Sequence, residues 1–195
     1  MGCEGDNKKS VVMIKTMKIY TKMGDHGTSR LFSGKEVSKN SSFLRTYGDV
    51  DELNSILGIV LTFNKDQEIK NILENLQKKL FVLGADLATP LDSNKKINRI
   101  EEKDVKELEA FIDQCEKELQ PLQNFILPGG CETASFLHLA RTVCRRAERE
   151  AAPLMEEAHI NTQAFIFLNR LSDFIFVLSR VANKRNGVSE TLWQV

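Results

Sequence analysis

The sequence predicts an all-α protein, a five-helix bundle entered through a glycine-rich loop near its N-terminus. Three observations lead there. Five long segments repeat apolar residues every three or four positions, the spacing that lines one face of a helix. The connectors between them are polar and carry proline, glycine or asparagine. Strand-like alternation is scarce, so helices must pack on helices.

The loop comes first. Residues 21–34 read TKMGDHGTSRLFSG, three glycines and four hydroxyl residues in fourteen positions. Glycines let backbone N–H groups converge without crowding, and Thr21, Thr28 and Ser29 add hydroxyl donors. Lys22 can neutralise phosphate oxygens. Asp25 would repel them, so it suits orienting the backbone or holding magnesium through water. The stretch is neither GxxxxGK[ST] nor a GxGxxG after a strand. Read alone it is either a generic glycine turn or an anion cradle, and its hydroxyl density favours an N-terminal phosphate-binding loop.

The helices follow. Over 43–63 the apolar positions are Leu44, Tyr47, Val50, Leu53, Leu57 and Val60; over 68–87 they are Ile69, Ile72, Leu73, Leu76, Leu80, Leu83 and Leu87. Residues 88–99, ATPLDSNKKINR, form a polar connector with room for local disorder. A third helix spans 101–119, ended near Pro121, and a fourth spans about 132–152, just before Pro153. The fifth, about 160–184, is closed by Arg185, Asn186 and Gly187. It is apolar round much of its circumference, which places it centrally in the bundle or against another subunit.

At 195 residues the chain suits one domain, expected over 18–187, between a flexible 1–17 extension and an 188–195 tail. Lys plus Arg equals Asp plus Glu at 27 each, which argues against bulk nucleic-acid binding. No apolar run approaches the roughly 20 residues that span a membrane. The four cysteines (Cys3, Cys115, Cys131, Cys144) are dispersed, which fits a reduced compartment. The first residues match neither a signal peptide nor an acylation site. The expectation is cytoplasmic, with the mitochondrion as the alternative.

Polar groups recur beside the apolar stripes. On the fourth helix Arg141, Arg145 and Glu148 follow at spacings of four and three and share a face, while Arg146 and Arg149 point elsewhere. Taken alone they would be a solvated face. The fifth helix carries Asn169 and Asp173 inside FLNRLSDF; the first carries Asp51 and Glu52 in YGDVDELN. Asp51 can pair with an arginine such as Arg141, an interaction that would orient more than it stabilises. His26, His138 and His159 have no metal-ligand spacing, and His138 suits a packing role. A site that positions two substrates and neutralises phosphate needs only these groups, without a dedicated protein base.

TKMGDHGTSRLFSG, YGDVDELNS, FILPGG, LHLARTVCRRAERE and FLNRLSDFIFVLSR resemble, in that order, the blocks of the PduO-type ATP:cob(I)alamin adenosyltransferases. The resemblance runs from residue 18 to about 184. It implies a homotrimer of five-helix bundles with an active site at each subunit interface. There the 5′-deoxyadenosyl group of ATP passes to reduced cobalamin, giving adenosylcobalamin and triphosphate. It further implies that Thr21, Lys22, Gly24, Asp25, Gly27, Thr28 and Ser29 wrap the triphosphate, Ser29 standing where threonine is common. Asp25 would serve the magnesium-bearing end; Arg145, Glu148 and Asn169 would contact nucleotide or phosphates. Asp51 and Arg141 would form a salt bridge across the interface, and Phe125 would face the corrin, excluding a lower axial ligand. Lys22, Arg145 and Phe125 would then carry the catalysis, with His26 incidental. A reductase and a cobalamin-dependent acceptor enzyme are implied partners. The competing reading is a non-catalytic ATP- or cobalamin-binding helical trimer.

Overall fold

The computed structural model describes residues 19–20, 22–157 and 159–193. The expected 1–17 extension and Thr21 lie outside them. The glycine-rich stretch leads into a small antiparallel hairpin, β1 (Thr28–Arg30) and β2 (Glu36–Ser38), in the register Thr28↔Ser38, Ser29↔Val37, Arg30↔Glu36. Five helices follow: α1 (Ser42–Phe63), α2 (Gln67–Leu87), α3 (Glu102–Glu116), α4 (Glu132–Glu156) and α5 (Thr162–Arg185).

Local chemistry fixes where they begin. The Ser41 hydroxyl accepts from the Leu44 N–H at 3.4 Å, and Asp66 accepts from Glu68 and Ile69 at 2.8 and 3.0 Å. Asp104 reaches back to the Glu101 N–H at 2.8 Å, and Asn161 accepts from Gln163 at 3.0 Å. Each cap satisfies a donor that the first turn leaves without an intrahelical partner.

The helices lie side by side in the order α3, α5, α4, α1, α2, and α2 also touches α5. Leu53, Leu57, Leu73, Leu80, Leu83, Leu137, Phe167 and Phe174 fill the core between them. The apolar girth of α5 is explained by this placement, since it packs against α2, α3 and α4.

Three features differ from the expectations. The hairpin was not anticipated, because three-residue strands carry almost no alternation. The fourth helix runs through Pro153 to Glu156. Proline there strips the Arg149 carbonyl of its partner, but Arg149 is exposed, and buried Ala151 and Leu154 hold both flanks. The 88–99 connector is pinned, not loose. The fully buried Asp86 carboxylate accepts from the Ile100 N–H and the Asn161 amide, both at 2.8 Å, and pairs with Arg99.

Candidate active site

The sequence-selected residues fall into two groups, one in and beside the N-terminal loop and one on and around the faces of α4 and α5. The first group belongs to the loop. Lys22 adopts a left-handed backbone at φ +58°, a conformation that non-glycine residues adopt at a cost. The Asp25 N–H donates to the Lys22 carbonyl and the Gly27 N–H to the Gly24 carbonyl, both at 3.3 Å. Gly27, at φ +77°, turns the chain into β1, and the Lys39 N–H closes the hairpin on its carbonyl at 2.9 Å. Lys22, Asp25 and His26 are exposed; Gly24, Thr28 and Ser29 are half-buried. A second cation joins them. A methyl group at Gly24 would stand 3.2 Å from the Lys39 ammonium, so Lys39 lies close across the loop at this glycine. Sequence reading missed Lys39, whose approach depends on the hairpin.

Ser29, with Arg30 and Phe32, also lines a hollow of about 360 Å³ closed by α1 and α2. Asp51 and Tyr47 lie on its α1 side. The neighbouring acids of the YGDVDELN block are used differently: Asp49 takes the Arg146 guanidinium at 2.9 Å, and Glu52 pairs with the same side chain.

The second group surrounds a groove of about 1770 Å³ bounded by α3, α4, α5, the segment after α3 and the C-terminal tail. Arg141 and Arg145 enter it from α4, one turn apart. Neither makes an ion pair among the described residues. Arg141 Nε is buried without an acceptor, its guanidinium standing 6.0 Å from the Phe176 ring centre. Burial, reinforced by neighbouring Arg145, lowers the Arg141 pKa. That cation lacks a counter-charge. Glu148 and Asn169, on α4 and α5 but not among the residues lining the groove, are joined, the amide donating to Oε1 at 2.8 Å. Asp173, exposed rather than enclosed by apolar neighbours, pairs with Arg170 at 3.3 Å.

Phe125 is 78 % exposed, its ring meeting the edge of Trp193 at 6.4 Å. The tail positions it: the Trp193 N–H donates to the Phe125 carbonyl and the Leu127 N–H to the Thr191 carbonyl, each at 2.8 Å. Residues 188–193, expected only as a tail, thus complete one wall of the groove. His138 is 3 % exposed, with Nε2 3.3 Å from the Ser179 hydroxyl.

Within one chain Asp51 and Arg141 do not meet; they line different hollows. Among the described residues no group of three or more His, Cys, Asp or Glu could hold a metal. A magnesium ion carried by phosphate and water needs only one or two carboxylates, and exposed Asp25 fits that more limited demand.

A helical bundle that combines a cationic glycine loop with a large groove, apolar on one wall and bearing arginines on another, is built to bind an anionic ligand beside a bulky one. The chain belongs to the cobalamin adenosyltransferase family, whose profile matches residues 19–182. It is 41 % identical over 190 residues to the corrinoid adenosyltransferase of Mycobacterium leprae, covering 93 % of this chain and 97 % of that one. It is 38 % identical over 200 residues to the corrinoid adenosyltransferase MMAB of Mus musculus, covering 99 % and 84 %. Among solved structures it matches a single-substitution variant of a PduO-type ATP:corrinoid adenosyltransferase from Lactobacillus reuteri, complexed with cobalamin and ATP. The TM-score is 0.85 at 41 % identity, covering 91 % of this chain and all of that one.

Proposed function

We propose that this chain transfers the 5′-deoxyadenosyl group of ATP to cob(I)alamin, forming adenosylcobalamin and triphosphate. One observation carries the reading: a groove of about 1770 Å³ has Phe125 and Trp193 on one wall and, on another, Arg141 and Arg145, two arginines without ion-pair partners among the described residues. Apolar surface suits a corrin face, and the free cations suit a polyphosphate.

The electron pair of cobalt(I) attacks C5′ of ATP. The C5′–O bond breaks, and triphosphate leaves with that bond's electrons. No proton must be removed from the nucleophile, so the reaction needs no protein base. The protein's contribution is alignment and charge neutralisation. Lys22, Lys39 and Arg145 neutralise the triphosphate, Thr28, Ser29 and the loop N–H groups hydrogen-bond to it, and the Asn169–Glu148 pair orients the nucleotide. Magnesium, held by the phosphates and Asp25, would add Lewis-acid stabilisation of the leaving group. Phe125 covers the lower corrin face and keeps water and other axial ligands off cobalt, which favours reduction of cobalt(II).

The loop and the groove belong to one site only when two copies meet. We infer a homotrimer in which the loop of one copy closes the groove of the next, with Asp51 supplying the counter-charge that half-buried Arg141 lacks among the described residues. The reducing chemistry and the free thiols at Cys115, Cys131 and Cys144 fit the cytoplasm, with the mitochondrion as alternative. A reductase and an acceptor enzyme complete the reaction's surroundings.

The test is spectroscopic. The chain, ATP, magnesium and chemically reduced cobalamin should yield the light-sensitive adenosyl product. Arg145→Ala should lower kcat/KM for ATP by about 10² while leaving the fold intact. Saturable ATP binding without any product would instead establish the non-catalytic binder.

A further inference from the structure

We propose that Arg180 is a positioning residue that sets Phe125 against the corrin, acting through the backbone of two segments it ties together. The proposal rests on the adenosyltransferase reading above. Arg180 lies in the last turns of α5, and its side chain is 8 % exposed. It holds Glu190 through one edge of the guanidinium: Nε donates to Oε1 at 2.7 Å and Nη2 to Oε2 at 3.2 Å. The same Nη2 donates to the Gln120 carbonyl at 2.8 Å. One side chain therefore links the segment leading to Phe125 with the tail that pairs with Phe125.

The rest of the frame follows from that link. Beyond Glu190, the tail bonds backbone to backbone with Phe125 and Leu127. One turn after Arg180, buried Asn183 fixes the far end of the loop, donating to the Gly129 carbonyl at 3.0 Å and accepting from the Cys131 N–H at 2.9 Å. Gly130, at φ +116°, passes so close that any side chain there would strike the Asn183 amide. The segment is thus held before, at and after Phe125, whereas the ring itself is 78 % exposed. Core packing cannot aim a ring so exposed. Its backbone must; the two segments bond directly to each other at Phe125 and Leu127, and the buried guanidinium ties both of them to α5. A buried ion pair is a weak source of stability compared with apolar packing, and its better-attested use is fixing one geometry among several. A flat ring that excludes an axial ligand needs that fixity, since a small misplacement leaves room for water.

Arg180→Lys, Arg180→Met and Glu190→Gln weaken the fork in different ways, and Phe125→Ala removes the ring it aims. Each full-length variant is assayed with ATP and chemically supplied cob(I)alamin. The absorption spectrum of bound cob(II)alamin then reports the four-coordinate fraction. The positioning role predicts an ATP KM within about twofold of the parent, a cobalamin KM raised about tenfold, and a four-coordinate signal reduced toward that of Phe125→Ala. Adding Arg180→Lys to Phe125→Ala should cost little more, because both act through one ring. Should Arg180→Met fail to fold, Glu190→Gln, which preserves shape, carries the test. Folded variants with the parent's four-coordinate fraction and cobalamin KM would overturn the proposal, as would equal losses for ATP and cobalamin. A parent chain that makes no adenosylcobalamin would overturn the assigned activity and this role with it.

Discussion

His138 is a buried titratable group beside the groove's arginines, with Phe176 and Ser179 of α5 against its ring. Burial, then the nearby Arg141 charge, lower its pKa below the ordinary 6.5, and Glu190 only partly opposes them. Above pH 6.5 the ring is neutral in folded and unfolded chains alike. Below it the unfolded chain takes up a proton that the folded one refuses, so stability falls as pH falls. Melting temperature measured between pH 8 and 5 should therefore decline on the acid side, and His138→Gln should flatten that decline. An unchanged slope would assign it to other groups. Lys22 and Asp25 could be selected from sequence because unusual residue types stood together, whereas Arg145 was selected through the family resemblance. Lys39 and Arg180 could not, since each acquires its role from a partner brought close only by folding: Gly24 for one, Glu190 and Gln120 for the other.

Among the elements, the helices were legible because burial imposes a period on sequence, and all five begin within about two residues of the positions expected. What escaped was held together by polar contacts, which leave no period. Asp86 is the clearest instance. Its carboxylate gathers a backbone N–H, an amide and a guanidinium, and thereby binds the connector and the N-cap of α5 to the end of α2. Asp86→Ala leaves those donors without an acceptor and should cost about 3 kcal/mol, read as a lower urea midpoint at constant m-value. A loss under about 1 kcal/mol would show that the connector does not depend on this carboxylate. Pro153 teaches the reverse lesson. A local breaker yields where Ala151 and Leu154 are buried on either side.

At the scale of the whole molecule, the loop and the groove line no hollow in common within one chain, and the proposed trimer makes them complementary halves of one site. A shared site makes a sharp demand on mixed assemblies. Lys22→Ala disables the loop half and Arg145→Ala the groove half, so each variant alone should be close to inactive. Co-expressed at equal levels, they should recover up to about one quarter of the parent's activity, the fraction of interfaces that join two intact halves in a cyclic assembly. Activity no greater than the two variants' own would place each site within a single chain. The sequence carries both sets of residues openly; in the proposed assembly their meeting is a property of symmetry, which no single chain displays.

Trp193 is the sole tryptophan in the sequence, and it stands half-exposed in the groove wall beside Phe125. An indole so placed passes excited-state energy to any chromophore that enters, and a corrin ring absorbs strongly where indole emits. Emission from this one side chain should dim as the corrinoid seats, without a label and without turnover, while ATP, transparent at those wavelengths, should leave it bright.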